Sequence, residues 1–162
     1  MFRTKQPKIL AVASGGGHWL QLLRLRPAFG GIECIYASVN QDQSRDVDPD
    51  KFYLIPEANR DTKIMLLLLC LKLTFIILKV RPTAIVSAGA APGYLAIRIG
   101  QLVGAKGLFI DSIANAEKLS LSGELASHHA DLMLTQWPAL CRTRHVKYRG
   151  SVIHTTKFGD PT

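Results

Sequence analysis

Three glycines and a histidine follow the first apolar run of this 162-residue sequence, directly after Ser14, at Gly15, Gly16, Gly17 and His18. Glycine lets the backbone approach a ligand closely, and a helix that begins behind such a turn directs unpaired N–H groups at that ligand. An imidazole at this point can hydrogen-bond a hydroxyl group or remove its proton. We therefore expect the loop to bind an anionic or oxygen-rich group and His18 to be catalytic, with a structural or solvated histidine as the open alternative.

Two familiar phosphate-binding motifs are excluded at this loop. A P-loop requires Gly-Lys-Ser/Thr at the helix entry, whereas Gly17 is followed here by His18 and Trp19. A dinucleotide fingerprint GxGxxG requires a glycine at position 20, where the chain has Leu20. A free-standing nucleotide-binding enzyme is therefore disfavoured.

Two further segments carry residues that suit a polar ligand. Gly89 to Gly93 form a second glycine loop, and Tyr94 follows it. Asp111 ends an apolar run and begins a polar segment suited to holding sugar hydroxyls, with Asp111 itself as a second catalytic candidate. A helix-capping loop is the alternative for this segment, whose other candidate binding residues are Ser112, Asn115 and Glu117.

Apolar runs bounded by turn residues place these segments on a regular framework. They predict strands at residues 9–13, 32–39, 51–55, 84–88, 107–111 and 131–135, and a possible seventh strand at 151–154. Helices are predicted at 18–26, from a cap at Asp61 to Val80, after Gly89–Gly93, and around 123–129. This alternation predicts one α/β domain over residues 1–162, with a Rossmann-like parallel sheet and helices on both faces. The polar segments then meet at the carboxyl edge of the sheet, where such folds bind ligands.

The overall composition restricts the partners and the compartment. A net charge of +8 favours anionic partners, but the basic residues are scattered and only 7% of the chain is aromatic, so nucleic acid is not expected. Three separated cysteines without a CxxC pair indicate neither a disulfide framework nor a metal site. No cofactor is expected. The short apolar run near the amino terminus ends in glycines and does not predict a signal peptide.

The long helix at residues 64–80 is apolar around most of its circumference. Its length falls just short of a bilayer core and Lys72 lies at its centre, which makes a true span the least favoured interpretation. A helix buried on the sheet and a helix that also lies on a bilayer surface remain as alternatives. In the second case the expected membrane contacts are Leu66, Leu67, Leu69, Leu73, Phe75 and Ile76.

The segments SGGGHWLQLLRL, SAGAAPGYLAIRIGQLVGAK, IDSIANAEKLSLSG and ADLMLTQWPAL resemble one known family along nearly the whole chain. It comprises the membrane-associated, acceptor-side subunits of two-component bacterial polysaccharide glycosyltransferases. They are related to the anchoring subunit of the split UDP-N-acetylglucosamine transferase of the dolichol pathway. The resemblance implies the amino-terminal half of a GT-B glycosyltransferase. Gly15–His18 and Gly89–Gly93 would then face the acceptor and the donor diphosphate, and Asp111–Asn115 would line the cleft between the two halves.

The same resemblance implies a function and its partners. The chain would bind a polyprenyl-diphosphate-linked sugar acceptor, while a separate subunit supplies the UDP-sugar for polysaccharide, or exopolysaccharide, synthesis. It would be peripheral, on the cytoplasmic face of the inner membrane. Because the sequence begins shortly before its first strand, whereas the eukaryotic relatives carry an amino-terminal membrane helix, the helix at 64–80 is the expected attachment. The alternative function is a non-catalytic membrane anchor that recruits the catalytic subunit.

Overall fold

The computed structural model describes residues 6–58, 62–141 and 143–152 and shows one seven-stranded, wholly parallel sheet. The strand order is β3-β2-β1-β4-β5-β6-β7. Most strands are continuous apolar runs, because a parallel sheet that is covered on both faces has no side open to water. The strands are β1 (Lys8–Val12), β2 (Glu33–Ser38), β3 (Phe52–Leu54), β4 (Ala84–Ser87), β5 (Lys106–Ile110), β6 (Leu132–Thr135) and β7 (Val146–Tyr148).

Four α-helices connect the strands, and their ends follow local sequence signals. Ser120 begins the last of them by accepting a hydrogen bond on Oγ from the Gly123 N–H at 2.9 Å. Arg81, in the left-handed region at φ 51°, ends the longest one. The helices are α1 (Gly17–Arg24), α2 (Lys63–Val80), α3 (Ala90–Leu102) and α4 (Leu121–His129), and short 3₁₀ turns lie at Arg26–Phe29, Gln41–Asp46, Pro49–Lys51 and Pro138–Leu140.

The helices divide between the two faces of the sheet, so there are two hydrophobic layers. On one face, α2, α3 and α4 pack over strand residues such as Leu10, Ile85 and Phe109. On the other face, α1 buries Trp19 and Leu22 against β1, β2 and β4. The Trp19 ring stands edge-on to the rings of Tyr36 and Phe52 at 5.9 and 6.0 Å, and its Nε1–H donates to Asp46 at 2.8 Å.

The strand order reverses at β1, which pairs with β2 on one side and with β4 on the other. Val12 is in register with both Ala37 and Ser87. The loop after β1 and the loop after β4 therefore leave the sheet side by side, on the two flanks of a crevice. Ligands bind at such switch points in open α/β folds.

The Rossmann-like parallel sheet with helices on both faces is confirmed, with the first six strands within one or two residues of their predicted bounds. The possible strand at 151–154 was wrong in its described part, residues 151 and 152. The seventh strand is β7, whose buried Val146 is in register with Met133 of β6, whereas Ser151 and Val152 lie beyond it in no strand. The cap predicted at Asp61 and the end of the 151–154 segment lie outside the described residues.

Candidate functional site

His18 lies in the first turn of α1 and joins that helix to the end of β4. Its Nδ1 is 3.0 Å from the backbone oxygen of Ala88, 70 residues along the chain. A carbonyl oxygen can only accept, so this hydrogen bond requires the proton on Nδ1. In the neutral ring, Nε2 then carries the lone pair. The contact with β4 thus holds the imidazole in one orientation and in the tautomer that can accept a proton at Nε2.

The second glycine loop is shaped by its contact with this histidine. Gly89 has φ +129° and ψ −179°, a backbone conformation that is open almost only to glycine. A β-carbon at this position would overlap Nδ1 and Cε1 of His18. Ser87, wholly buried at the end of β4, accepts a hydrogen bond from the Gly89 N–H at 3.1 Å, and a β-carbon at Gly93 would overlap the Ser87 hydroxyl. Both glycines are therefore required by close packing around His18 and Ser87.

The first glycine loop leaves open space in front of α1. A β-carbon at Gly16 or Gly17 would meet nothing within 4 Å, so packing does not explain these glycines. Gly16 does require its residue type, because its φ is +63°. Within the described part of the chain, no side chain caps the first N–H groups of α1, and the same holds at α3, which begins directly after Gly89. Two uncapped helix N-termini thus lie on neighbouring loops, where they can donate hydrogen bonds to oxygen atoms of a ligand.

Asp111 is not placed as a catalytic group, which corrects the role expected from the sequence. Its side chain is 1% exposed, and its two oxygens accept four hydrogen bonds. The donors are the Ser112 N–H, the Asn115 amide, and both the N–H and the hydroxyl of Ser120, at 2.7 to 3.0 Å. Because these bonds occupy the carboxylate, Asp111 closes its own loop and anchors the start of α4.

The other sequence-predicted residues divide between this loop and more distant places. Ser112 accepts from the Ala114 N–H and Asn115 donates to Asp111, so both serve the loop itself. Tyr94 lies at the contact between α3 and α4, where its ring is 6.2 Å from that of His129. Glu117 lines a separate cavity beside α4. The structure therefore does not bring Tyr94 and Glu117 to His18, whereas Gly89 is in direct contact with it.

Two buried glutamines connect loops at the carboxyl edge, and neither was predicted from the sequence. Gln21 of α1 donates to the backbone oxygens of Ala88, Ile110 and Asp111, and its Oε1 accepts from the Ile113 N–H. Gln136, after β6, also donates to the Asp111 backbone oxygen and accepts from the Val152 N–H. The signal for Gln21 was available, because it is a polar residue one helical turn after His18 and next to buried Leu22.

An exposed aromatic side chain completes this edge. Trp137 follows β6 and is 36% exposed, and its Nε1–H donates to the Ile113 backbone oxygen at 2.7 Å. That bond ties the end of β6 to the loop after β5. Within the described ranges, no three histidine, cysteine, aspartate or glutamate side chains come together as metal ligands.

The helix α2 carries a second surface of interest, and its burial corrects three of the predicted membrane contacts. Leu69, Leu73 and Ile76 are wholly buried against the sheet, so they cannot face a bilayer. Leu67 and Phe75 are exposed, as that prediction requires, and Leu66 is half-buried. The residues exposed on the side away from the sheet form what we name the outer face of α2: Ile64, Leu67, Leu68, Leu71, Phe75 and Leu78.

No helix in the described part of the chain combines the length and the apolar character needed to cross a membrane. The outer face of α2 is nevertheless an apolar strip that no described residue of the chain covers. Lys63 and Lys72 are exposed on the same helix. Contiguous apolar surface with basic neighbours is typical of interaction sites rather than of plain solvent-facing helices.

The family model described as "Oligosaccharide biosynthesis protein Alg14 like" matches residues 60–152, which is more than half of the chain. No curated protein matches the sequence. The chain is similar in structure to MurG from Acinetobacter baumannii, with a TM-score of 0.69 at 13% identity over 88% of this chain and 45% of that one.

Two other solved structures share the fold. UDP-N-acetylglucosamine 2-epimerase from Rickettsia bellii has a TM-score of 0.67 at 12% identity, over 91% of this chain and 46% of that one. A glycosyltransferase from Rickettsia africae ESF-5 has a TM-score of 0.54 at 15% identity, over 81% of this chain and 37% of that one. The chain thus spans less than half the length of these proteins, and its fold is that of the amino-terminal half of a GT-B enzyme.

Proposed function

Because the chain belongs to the Alg14-like family of oligosaccharide biosynthesis proteins, we propose that it is the acceptor-binding subunit of a two-component glycosyltransferase. Family and fold together make it a glycosyltransferase-associated subunit. In the proposed assembly, a separate protein binds the UDP-sugar and this chain binds a polyprenyl-diphosphate-linked sugar acceptor. The product extends a polysaccharide or oligosaccharide.

The observation that carries the proposal is the contact between His18 and the end of β4. The Nδ1 bond to the Ala88 oxygen leaves Nε2 as an acceptor at the switch point of the sheet, beside two uncapped helix N-termini. Nε2 can accept the proton that a hydroxyl loses, and the N–H groups of the two helices can donate hydrogen bonds to a diphosphate. These are the two chemical demands of sugar transfer to a phosphate-linked acceptor.

The proposed reaction is a direct displacement at the anomeric carbon of the donor sugar. The acceptor hydroxyl attacks that carbon, a new C–O bond forms, and the bond from the sugar to the diphosphate of UDP breaks with inversion. His18 accepts the hydroxyl proton at Nε2, and UDP leaves with the electron pair. General-base catalysis of this kind contributes about 10²–10⁴ in rate.

We place the subunit on the cytoplasmic surface of the inner membrane through the outer face of α2. A polyprenyl-linked acceptor stays in the bilayer, so its enzyme must reach the headgroup region. The exposed leucines and Phe75 of this face supply apolar contact, and the net charge of +8 favours anionic lipid.

Reconstitution tests this function against its alternatives. The chain is purified alone and together with candidate donor-binding proteins, and sugar transfer to a lipid-linked acceptor is measured. We expect transfer only by the pair, and no sub-millimolar binding of UDP-sugars by the chain alone in calorimetry. Sub-millimolar binding by the isolated chain would contradict a split enzyme. Full transfer by a pair with a His18→Ala variant would leave the chain as a non-catalytic anchor.

A further inference from the structure

A cavity of about 580 Å³ opens beside the first glycine loop, at the carboxyl ends of β1, β2 and β3. Its volume lies in the range of small-molecule sites. Only one of its walls, at Ser14 and Gly15, was predicted from the sequence as a binding segment. The other walls come from the segment that follows β2 and from the end of β3 with the residues after it, and these two strands are adjacent in the sheet.

The lining of this cavity differs in charge from the glycine loops. Among the described residues that line it there is no lysine, arginine or histidine, and Glu57 contributes an exposed carboxylate. A phosphate would be repelled by that carboxylate and would find no cation. The polar lining instead offers a hydroxyl, two amides and a carboxylate, while Val39 and Leu54 offer apolar contact. Neutral hydroxyl groups on a partly apolar ring match such a lining.

The two amides are held in place by the turn on which they lie. Asn40 lies two residues after β2 and accepts a hydrogen bond on Oδ1 from the Asp42 N–H at 3.0 Å, which leaves its two amide hydrogens to donate. Gln41 donates from Nε2 to the Ser44 hydroxyl at 3.4 Å, which leaves its Oε1 to accept. One donor and one acceptor are thus pre-positioned on neighbouring residues, so binding costs little side-chain entropy.

We propose that this cavity binds the sugar of the acceptor, a neutral hexopyranose, while the phosphates of the same acceptor lie against the uncapped helix N-termini. This inference rests on the proposed function. Gly15 lines the cavity, and three residues of chain bring it to His18, so their α-carbons are at most about 11 Å apart. In this proposal one hydroxyl of the bound sugar is directed toward His18 in the adjoining loop, while Glu57 accepts hydrogen bonds from others.

Kinetics of the reconstituted pair test the assignment. Glu57→Gln is suited to this because the side chain is exposed and forms no ion pair with a described residue, so we expect folding to be unaffected. We expect the KM for the lipid-linked acceptor to rise by about tenfold or more, with a much smaller change in kcat, since a hydrogen bond to a charged group is lost. Asp50→Asn is the matched control, because Asp50 is an exposed carboxylate near the other end of β3. An unchanged KM in the Glu57→Gln pair that still transfers sugar would overturn the sugar site and leave the proposed function standing.

Binding to the chain alone separates the two ideas further. Amide resonances are followed by NMR while D-glucose, N-acetyl-D-glucosamine or inorganic pyrophosphate is added. The sugars are expected to shift the side-chain amides of Asn40 and Gln41, and Glu57→Gln should reduce those shifts. Pyrophosphate is expected to shift the backbone amides in the first turns of α1 and α3 instead. The assignment would be overturned if pyrophosphate shifts the Asn40 and Gln41 amides, or if no probe shifts them. If sugars shift these amides but no pair transfers sugar, the sugar site is supported and the proposed glycosyltransferase function is contradicted.

Discussion

The imidazole of His18 and the α-carbon of Gly89 face each other so closely that a β-carbon at position 89 would overlap Nδ1 and Cε1 of the ring. The ring is held there by the bond of Nδ1 to the Ala88 oxygen at 3.0 Å. Glycine at this position thus serves two purposes, because the backbone φ of +129° also requires it. His18, which follows the first glycine loop, therefore connects it to the second through direct contact with Ala88 and Gly89.

Replacing Gly89 by alanine should therefore displace His18. We expect the reconstituted pair to lose about 10²-fold in turnover, since the orientation of the proposed base is lost. The His18 ring nitrogens, followed by NMR, should lose the signature of a protonated, hydrogen-bonded Nδ1. Gly104→Ala is the matched control, because Gly104 also has a positive φ, +86°, but its added β-carbon would meet nothing within 4 Å. An unchanged His18 signal in Gly89→Ala would contradict the linkage.

Removal of the imidazole tests the chemical role directly. We expect His18→Ala to lower kcat of the reconstituted pair by about 10² or more at saturating acceptor, with the fold intact by circular dichroism. His128→Ala, at an exposed position on α4, is the control and should retain turnover. Turnover near that of the wild type in His18→Ala would reduce the histidine to a structural group.

Asp111→Asn should destabilise the protein rather than remove a base. An asparagine has one fewer acceptor oxygen and places an N–H₂ group against the donors that Asp111 now satisfies, namely the Ser112 and Ser120 amides and the Ser120 hydroxyl. We expect the free energy of unfolding to fall by about 2–3 kcal/mol in urea denaturation. Ser120→Ala should cause part of the same loss. A reconstituted pair that contains the folded Asp111→Asn variant should keep the pH dependence of kcat of the wild-type pair. The disappearance of one limb of that profile would mark Asp111 as an acid or base.

The outer face of α2 should hold the protein on anionic vesicles. We expect joint replacement of Leu67, Leu71 and Phe75 by glutamine to release the protein in flotation, while the free energy of unfolding changes little because these side chains are exposed. High salt should release the wild type only in part, since apolar contact is not screened. Leu20→Gln is the control: Leu20 is as exposed as Phe75, at 58%, but lies on α1 across the sheet. A wild-type chain that stays with the soluble fraction at low salt would contradict this attachment.

Asp131 lies at the edge of the sheet opposite the candidate site. It should make the free energy of unfolding depend on pH in the acid range. Its carboxylate accepts from the Gly107 N–H at 2.8 Å and from Lys106 Nζ at 2.9 Å, and these bonds lower its pKa. A lowered folded-state pKa stabilises the protein above the unfolded pKa of about 3.9, and that contribution is lost as the pH falls through the folded value. We expect Asp131→Asn to cost on the order of 1 kcal/mol at pH 7 because the group is partly exposed, and the difference from the wild type to vanish at low pH. A difference that is the same at neutral and acid pH would contradict the assignment.

The sheet and its loops were predictable because their signals are local. Apolar runs bounded by turn residues identified six strands, and the parallel order brought the glycine loops to one edge. The seventh strand was misplaced because Val146–Tyr148 is short and carries only one buried residue. On α2 the pattern contained no directional signal, since leucine and isoleucine surround the helix. Which of them are buried, as Leu69 and Leu73 are, depends on the sheet beneath them.

What the sequence by itself determined is the α/β architecture, the family resemblance, and the carboxyl edge as the place for His18 and the two glycine loops. Tertiary structure alone decided what each polar group does there. The tautomer of His18 depends on a carbonyl 70 residues away, and Gln21 reaches Asp111 across 90 residues. From the sequence, Asp111 was predicted to be a catalytic carboxylate. In the structure, the N–H and the hydroxyl of Ser120, nine residues later, donate hydrogen bonds to that carboxylate. A side chain's chemistry is set by the partners that satisfy it, and in this fold most of those partners come from other strands and helices.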